Sequence, residues 1–137
     1  MKLKEIMLID DNSIDNYIAK IVTEKEKIAE TITIKSSAIE ALDYLKNNGD
    51  NFPELIFLDI KMPIMDGFGF LQEFSKFSVE KKADSAIVML SSSISKTDME
   101  EAENNQHVID YISKPISKDK LTKVYDIIIQ KNRNTTL

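Results

Sequence analysis

Short apolar runs alternate along the chain with stretches in which apolar residues return every three or four positions. The runs fall at 5–10 (EIMLID), 31–35 (TITIK), 55–59 (LIFLD), 86–90 (AIVML) and 108–112 (VIDYI). Each is too short for a helix, rich in β-branched residues or apolar without interruption, and reads as a strand. Between them the period changes. Ile14, Ile18, Ile21 and Val22 predict a first helix, and Ala38, Ala41, Leu42 and Leu45 a second, opened by the capping-box pattern SAIE at Ser37 and closed by NNGD. Phe70, Leu71, Phe74 and Phe77 predict a third helix. The polar stretch KTDMEEAENN predicts a weaker fourth, and Leu121, Val124, Ile127 and Ile128 a fifth, capped by Ser117. The residues from 131 on read as a frayed tail, so the expected organisation is one domain over 1–130 with a flexible C-terminal tail at 131–137.

Five β–α units in one small chain predict an α/β fold in which a parallel sheet is covered by helices on both faces. Right-handed crossovers leave few topologies. In open sheets of this kind ligands bind beyond the carboxyl ends of the strands, where strand order reverses. The polar residues obey that rule. The first strand runs into Asp10 and Asp11, the third into Asp59, the fourth into Ser91, Ser92 and Ser93, and the fifth is followed by Lys114 and Pro115. Taken singly each cluster is ordinary: an Asp pair in a loop, a serine turn, a Lys-Pro strand exit, a helix cap at Asp66 in MPIMDG. Their convergence on one edge of one sheet is not.

Composition narrows the chemistry. Of 137 residues 42% are apolar and 30% charged, as in a soluble globular domain, and 18 basic against 23 acidic side chains leave a net charge of −5. That balance argues against nucleic acid as a partner, since phosphate neutralisation needs a basic footprint. There is no cysteine, hence no disulfide, thiolate metal site or Cys nucleophile, and the single histidine, His107, rules out a multi-His zinc site. His107 itself reads as a solvated loop side chain, and the Met62/Met65 pair as packing. The N-terminal MKLKEIMLID is apolar too briefly for a signal peptide or membrane span, so a cytoplasmic protein is expected. Three carboxylates crowded together repel one another unless they share protons or bind a cation. Oxygen ligands without sulfur or imidazole favour Mg2+ or Mn2+. A carboxylate left free to act can serve as a nucleophile toward phosphorus, with an ammonium and a hydroxyl to stabilise the transferring group.

The motifs LIDD, LDIKMPIMDG, VMLSSS and YISKP, covering essentially the whole chain from Leu3 to Ile129, resemble those of the receiver domains of two-component response regulators, the family of the bacterial chemotaxis response regulator. The resemblance implies a flavodoxin-like (βα)5 sandwich with strand order 2-1-3-4-5. It implies that Asp59 is the phosphoacceptor, that Asp11, Asp59 and the Lys61 backbone carbonyl bind Mg2+ directly with Asp10 acting through water, and that Lys114 contacts the phosphoryl group ahead of a cis Pro115. Ser91 and Tyr111 occupy the family's switch positions, and Lys61 and Ser93 the positions that tune the lifetime of the phosphorylated state. The implied donor is a sensor histidine kinase or a histidine phosphotransfer protein. With so little chain after the last helix, a stand-alone receiver is expected, a signalling domain rather than an enzyme, with its output through an unidentified downstream protein or onward phosphotransfer.

Two departures from the family pattern stand out. The switch hydroxyl is a serine in a run of three, which leaves its register open by one, and Gly69 interrupts the third helix at about 1 kcal/mol relative to alanine. Rival readings fare worse. A haloacid-dehalogenase-like phosphatase needs a second Asp two residues after its nucleophile, where this chain has Lys61. A flavodoxin-like FMN module needs a hydroxyl-rich phosphate loop after the first strand, where DDNSIDN is acidic. A degenerate receiver that binds partners without phosphorylation does not need the complete set of site residues.

Overall fold

In a computed structural model that describes residues 2–93 and 95–135, the chain forms strands β1 (Leu3–Ile9), β2 (Ala29–Lys35), β3 (Leu55–Asp59), β4 (Ala86–Ser91) and β5 (Val108–Ser113). The helices are α1 (Ser13–Glu26), α2 (Ala38–Lys46), α3 (Gly67–Phe74), the single turn α4 (Val79–Lys82), α5 (Lys96–Glu103) and α6 (Lys118–Thr135). The sheet is parallel throughout, in the order β2-β1-β3-β4-β5. β3 and β4 are buried at every residue, which is why their sequences are apolar runs rather than alternating ones.

Alternate side chains of the sheet feed two cores. Met7, Ile9, Ile56, Leu58, Ile87 and Met89 pack against α2, α3 and Ala102 of α5. Leu8, Phe57, Val88, Leu90 and Ile112 pack against Ala19 of α1 and against Leu121, Val124 and Ile128 of α6. The result is a three-layer sandwich, as the resemblance implies. Strand order reverses between β1 and β3, so the crevice at their carboxyl ends is the place where a site is expected.

Three elements differ from their sequence-based expectations. α1 forms where expected but turns its apolar stripe outward: Ile14 is 68%, Ile18 40% and Ile21 44% exposed, while Asn16, Ala19 and Thr23 face the sheet. Polar anchoring sets this rotation. The Asn16 side chain donates to the Asp10 carbonyl at 2.8 Å in a buried position, while the buried Thr23 hydroxyl satisfies itself within α1 on the Ala19 carbonyl one turn back. Second, α3 ends at Phe74. Phe77 lies beyond it, edge-on to Phe52 at 5.0 Å, and the Ser78-capped turn α4 follows. Third, helix continues from 131 to Thr135 where a tail was expected. No glycine or proline follows Pro115 to stop it. The last two residues of the expected tail lie outside the described residues.

Candidate phosphoacceptor site

β1 and β3 lie side by side in register, Ile9 opposite Leu58, so the residues that follow them emerge together. Asp10 is 3% and Asp59 4% exposed, whereas Asp11 is open to solvent. One carboxylate oxygen from each of Asp10, Asp11 and Asp59 can be chosen so that all lie within 4.8 Å of one another. Opposite them, beyond β5, the Lys114 ammonium lies 2.7 Å from Asp10 Oδ2, 3.0 Å from Asp15 Oδ2 and 3.1 Å from Asp59 Oδ1. The peptide between Lys114 and Pro115 is cis.

The local backbone holds these groups still. Asn12 caps α1, its side chain accepting from the amides of Ile14 (2.9 Å) and Asp15 (3.1 Å), while its own amide donates to Asp10 Oδ1 at 2.9 Å. Lys114 N–H donates to the Ser91 carbonyl at 2.8 Å, tying β5 to the end of β4. Behind Asp59 the chain turns through Ile64, a β-branched residue at φ 72° and 95% exposed, before Asp66 caps α3 by accepting from Gly69 N–H at 2.8 Å. Gly67 is obligatory here. A Cβ on it would lie 2.7 Å from the Asp59 carbonyl oxygen and 3.0 Å from Ile60 Cα, so only glycine lets the start of α3 sit against the end of β3.

Burial, and then the neighbouring Asp10 charge, push the Asp59 carboxyl up to about 6 against the pull of Lys114. Burial alone would lower the Lys114 pKa, but its hydrogen bonds to Asp10, Asp15 and Asp59 outweigh that and hold it above the ordinary lysine range. A carboxylate cluster with more negative charge than one ammonium can balance, built only of hard oxygen donors, fits a divalent cation such as Mg2+ or Mn2+.

The switch-position residues are placed as follows. Ser91 is 2% exposed at the last position of β4, while Ser92 and Ser93 are exposed. The Ser91 hydroxyl donates to the Ser93 carbonyl and accepts from Ser93 N–H at 3.1 Å. The Tyr111 hydroxyl reaches the same Ser93 carbonyl at 3.5 Å, and its ring packs partly buried on the α3 side of the sheet. Lys61 is exposed. His107 is not the solvated side chain expected. It packs edge-on to Phe74 of α3 at 5.4 Å from the turn just before β5, and burial followed by the Lys82 and Lys131 charges lowers its pKa. Met62 is 8% exposed and joins the core, with Met65 packed against it, as a packing pair should.

Sequence reasoning missed Asp15. The only signal for it was an acid in the first turn of α1, a common helix feature, and nothing local joins it to a lysine 99 positions away.

The family profile described as the response regulator receiver domain matches residues 6–126. The chain is 35% identical over 120 residues to the sensor histidine kinase CheAY of Helicobacter pylori, covering 87% of this chain and 14% of that one. It is 27% identical over 128 residues to a response regulatory protein of Staphylococcus epidermidis, covering 93% of this chain and 47% of the relative. Both relatives are thus much longer than the matched region. Among solved structures, a two component response regulator from Cytophaga hutchinsonii superposes with a TM-score of 0.89 at 27% identity, covering 95% of this chain and 99% of that one. A response regulator receiver protein from Dyadobacter fermentans gives 0.83 at 25% identity over 92% and 98%. The chain belongs to the response regulator receiver domain family. Receiver domains of this family are phosphoacceptors in two-component signalling, and the acidic cluster of this chain is compatible with the Mg2+ that such domains typically use. Among the described residues no helix is long and apolar enough to cross a membrane.

Proposed function

We propose that Asp59 is the residue that takes the phosphoryl group, from a phosphohistidine on a sensor kinase or a histidine phosphotransfer protein. The observation that carries this reading is the position of the Asp59 carboxylate, buried at the end of β3, 3.1 Å from the Lys114 ammonium and clustered with the Asp10 and Asp11 carboxylates. An Asp59 oxygen forms the new O–P bond as the N–P bond of phosphohistidine breaks. The electron pair returns to the imidazole nitrogen, which picks up a proton. Asp11 and Asp59, with the Lys61 backbone carbonyl, would hold the cation directly and Asp10 through water; when bound, it supplies positive charge beside the transferring oxygens. Lys114 holds its ammonium where the product's negative charge develops.

The output is a change of surface. In the unphosphorylated chain the Ser91 hydroxyl is committed to Ser93, whose carbonyl also receives the Tyr111 hydroxyl. A phosphoryl group at Asp59 offers Ser91 stronger acceptor oxygens. When Ser91 turns toward them, the Ser93 contact is lost, the Tyr111 ring is free to move, and the face formed by α5, β5 and α6 is altered for a downstream protein. Lys61 and Ser93 flank the approach of the hydrolytic water, and a long Lys61 side chain laid over the phosphoryl group slows its loss.

The test is incubation with Mg2+ and acetyl phosphate, followed by intact mass, peptide mapping and amide NMR. The expected result is one phosphoryl group on Asp59, slower uptake in Asp11→Asn, and shifts that reach Tyr111. An Asp59→Asn protein that gains an equally stable phosphoryl group refutes the assignment.

A further inference from the structure

Asp15 belongs to none of the roles above, yet it occupies one third of the Lys114 ammonium. That ammonium has three N–H donors and no others. The three carboxylates at 2.7, 3.0 and 3.1 Å account for all of them. A phosphoryl group on Asp59 brings additional acceptor oxygens and charge to this ammonium, so an existing partner has to give way. Asp10 is poorly placed to do so. It is buried, and it is fixed by the Asn12 amide at its Oδ1 and by the Asn16 side chain at its carbonyl. Releasing it would strand a carboxylate in a dry site. Asp15 is different. Its side chain is 35% exposed on the first turn of α1, where water and the helix N-terminus can take over its charge.

We infer that Asp15 is a positioning residue that holds Lys114 in the unphosphorylated chain and competes with the phosphoryl group for it, weakening the phosphorylated state. The inference rests on the phosphoacceptor reading of Asp59. The alternative is a surface ion pair that only steadies α1, and such a pair leaves the affinity of the site for a phosphoryl group unchanged.

The experiment is titration of the full chain with beryllofluoride, a phosphoryl mimic, at saturating Mg2+, read by calorimetry and amide NMR for wild type, Asp15→Asn and Asp15→Glu. Asp15→Asn keeps the side-chain shape and removes the competing charge. It is expected to bind beryllofluoride about three- to fivefold more tightly, the range an incompletely buried ion pair allows. Asp15→Glu, which restores a carboxylate within reach of Lys114, is expected to return the affinity toward wild type. A purely structural role would shift the unfolding midpoint of both variants without that reversal. Wild type that binds the mimic while Asp15→Asn binds it equally or more weakly overturns the competition alone. Wild type that binds no mimic overturns the phosphoacceptor reading and the competition with it.

Discussion

A carboxyl whose pKa is pushed up to about 6 by burial and by Asp10 keeps its proton in the folded chain at pH values where the unfolded chain has lost it. An unfolded aspartate ionises near 3.9. The stabilising contribution of Asp59 is therefore complete below about pH 4 and is lost as pH rises through about 6. In metal-free protein at neutral pH the ionised Asp59 opposes folding. Asp59→Asn is expected to raise the unfolding free energy by on the order of 2 kcal/mol at pH 7.5 and to change it little at pH 4. Urea unfolding at the two pH values measures this, and a variant less stable than wild type at pH 7.5 contradicts it. At this scale the sequence was most informative. Asp10, Asp11, Asp59, Ser91 and Lys114 were marked by their positions at strand ends, and Tyr111 by the family resemblance alone. Asp15 was not, because its role depends on a contact made only after the last strand has joined the sheet.

Between residues and elements stand two glycines of α3 with opposite meanings. A Cβ at Gly67 meets backbone, the Asp59 carbonyl at 2.7 Å. A Cβ at Gly69 meets Met65 Cγ at 2.8 Å, a flexible side chain that can move aside. Gly67→Ala is expected to lose about 1–3 kcal/mol, since the start of α3 has to lift off the strand that carries Asp59. Gly69→Ala is expected to remain within about 1 kcal/mol of wild type, the helical advantage of alanine offsetting the shift of Met65. Equal losses in chemical denaturation would mean that Met65 is as immovable as the backbone. Strands were legible because a strand buried on both faces has to be an apolar run. The length of α3 was not. Phe77 continues the spacing of Phe70 and Phe74, yet it reaches the same core from a turn beyond the helix, where Phe52 and Phe74 receive it. Apolar spacing reports which residues are buried and is silent on whether the backbone between them stays helical.

For the molecule as a whole, the topology carries the site: the carboxyl ends of β1, β3 and β5 supply Asp10, Asp11, Asp59 and Lys114, that of β4 supplies Ser91, and both cores lie behind them. The two helices of one layer, α1 and α6, are not held alike, however. α6 is fastened to the sheet by Leu121, Val124 and Ile128, all buried. α1 gives that core only Ala19 among its fully buried side chains, with Val22 partly covered, and its polar anchor is Asn16 alone, the Thr23 hydroxyl bonding within the helix itself. Hydrogen bonds contribute less net stability than the burial of large side chains. The outward rotation of α1 therefore bears on how the fold breathes. Local opening is easiest where few apolar contacts must be broken. In native-state hydrogen exchange the amides in the middle of α1 are expected to lose protection by sub-global opening, at a lower free energy than those of β3, β4 and α6. Equal protection in α1 and α6 would mean that the Asn16 anchor holds as firmly as a hydrophobic seam. With the expected order, the helix that delivers Asp15 to Lys114 also lets go of the sheet before α6, its neighbour in the same layer, does.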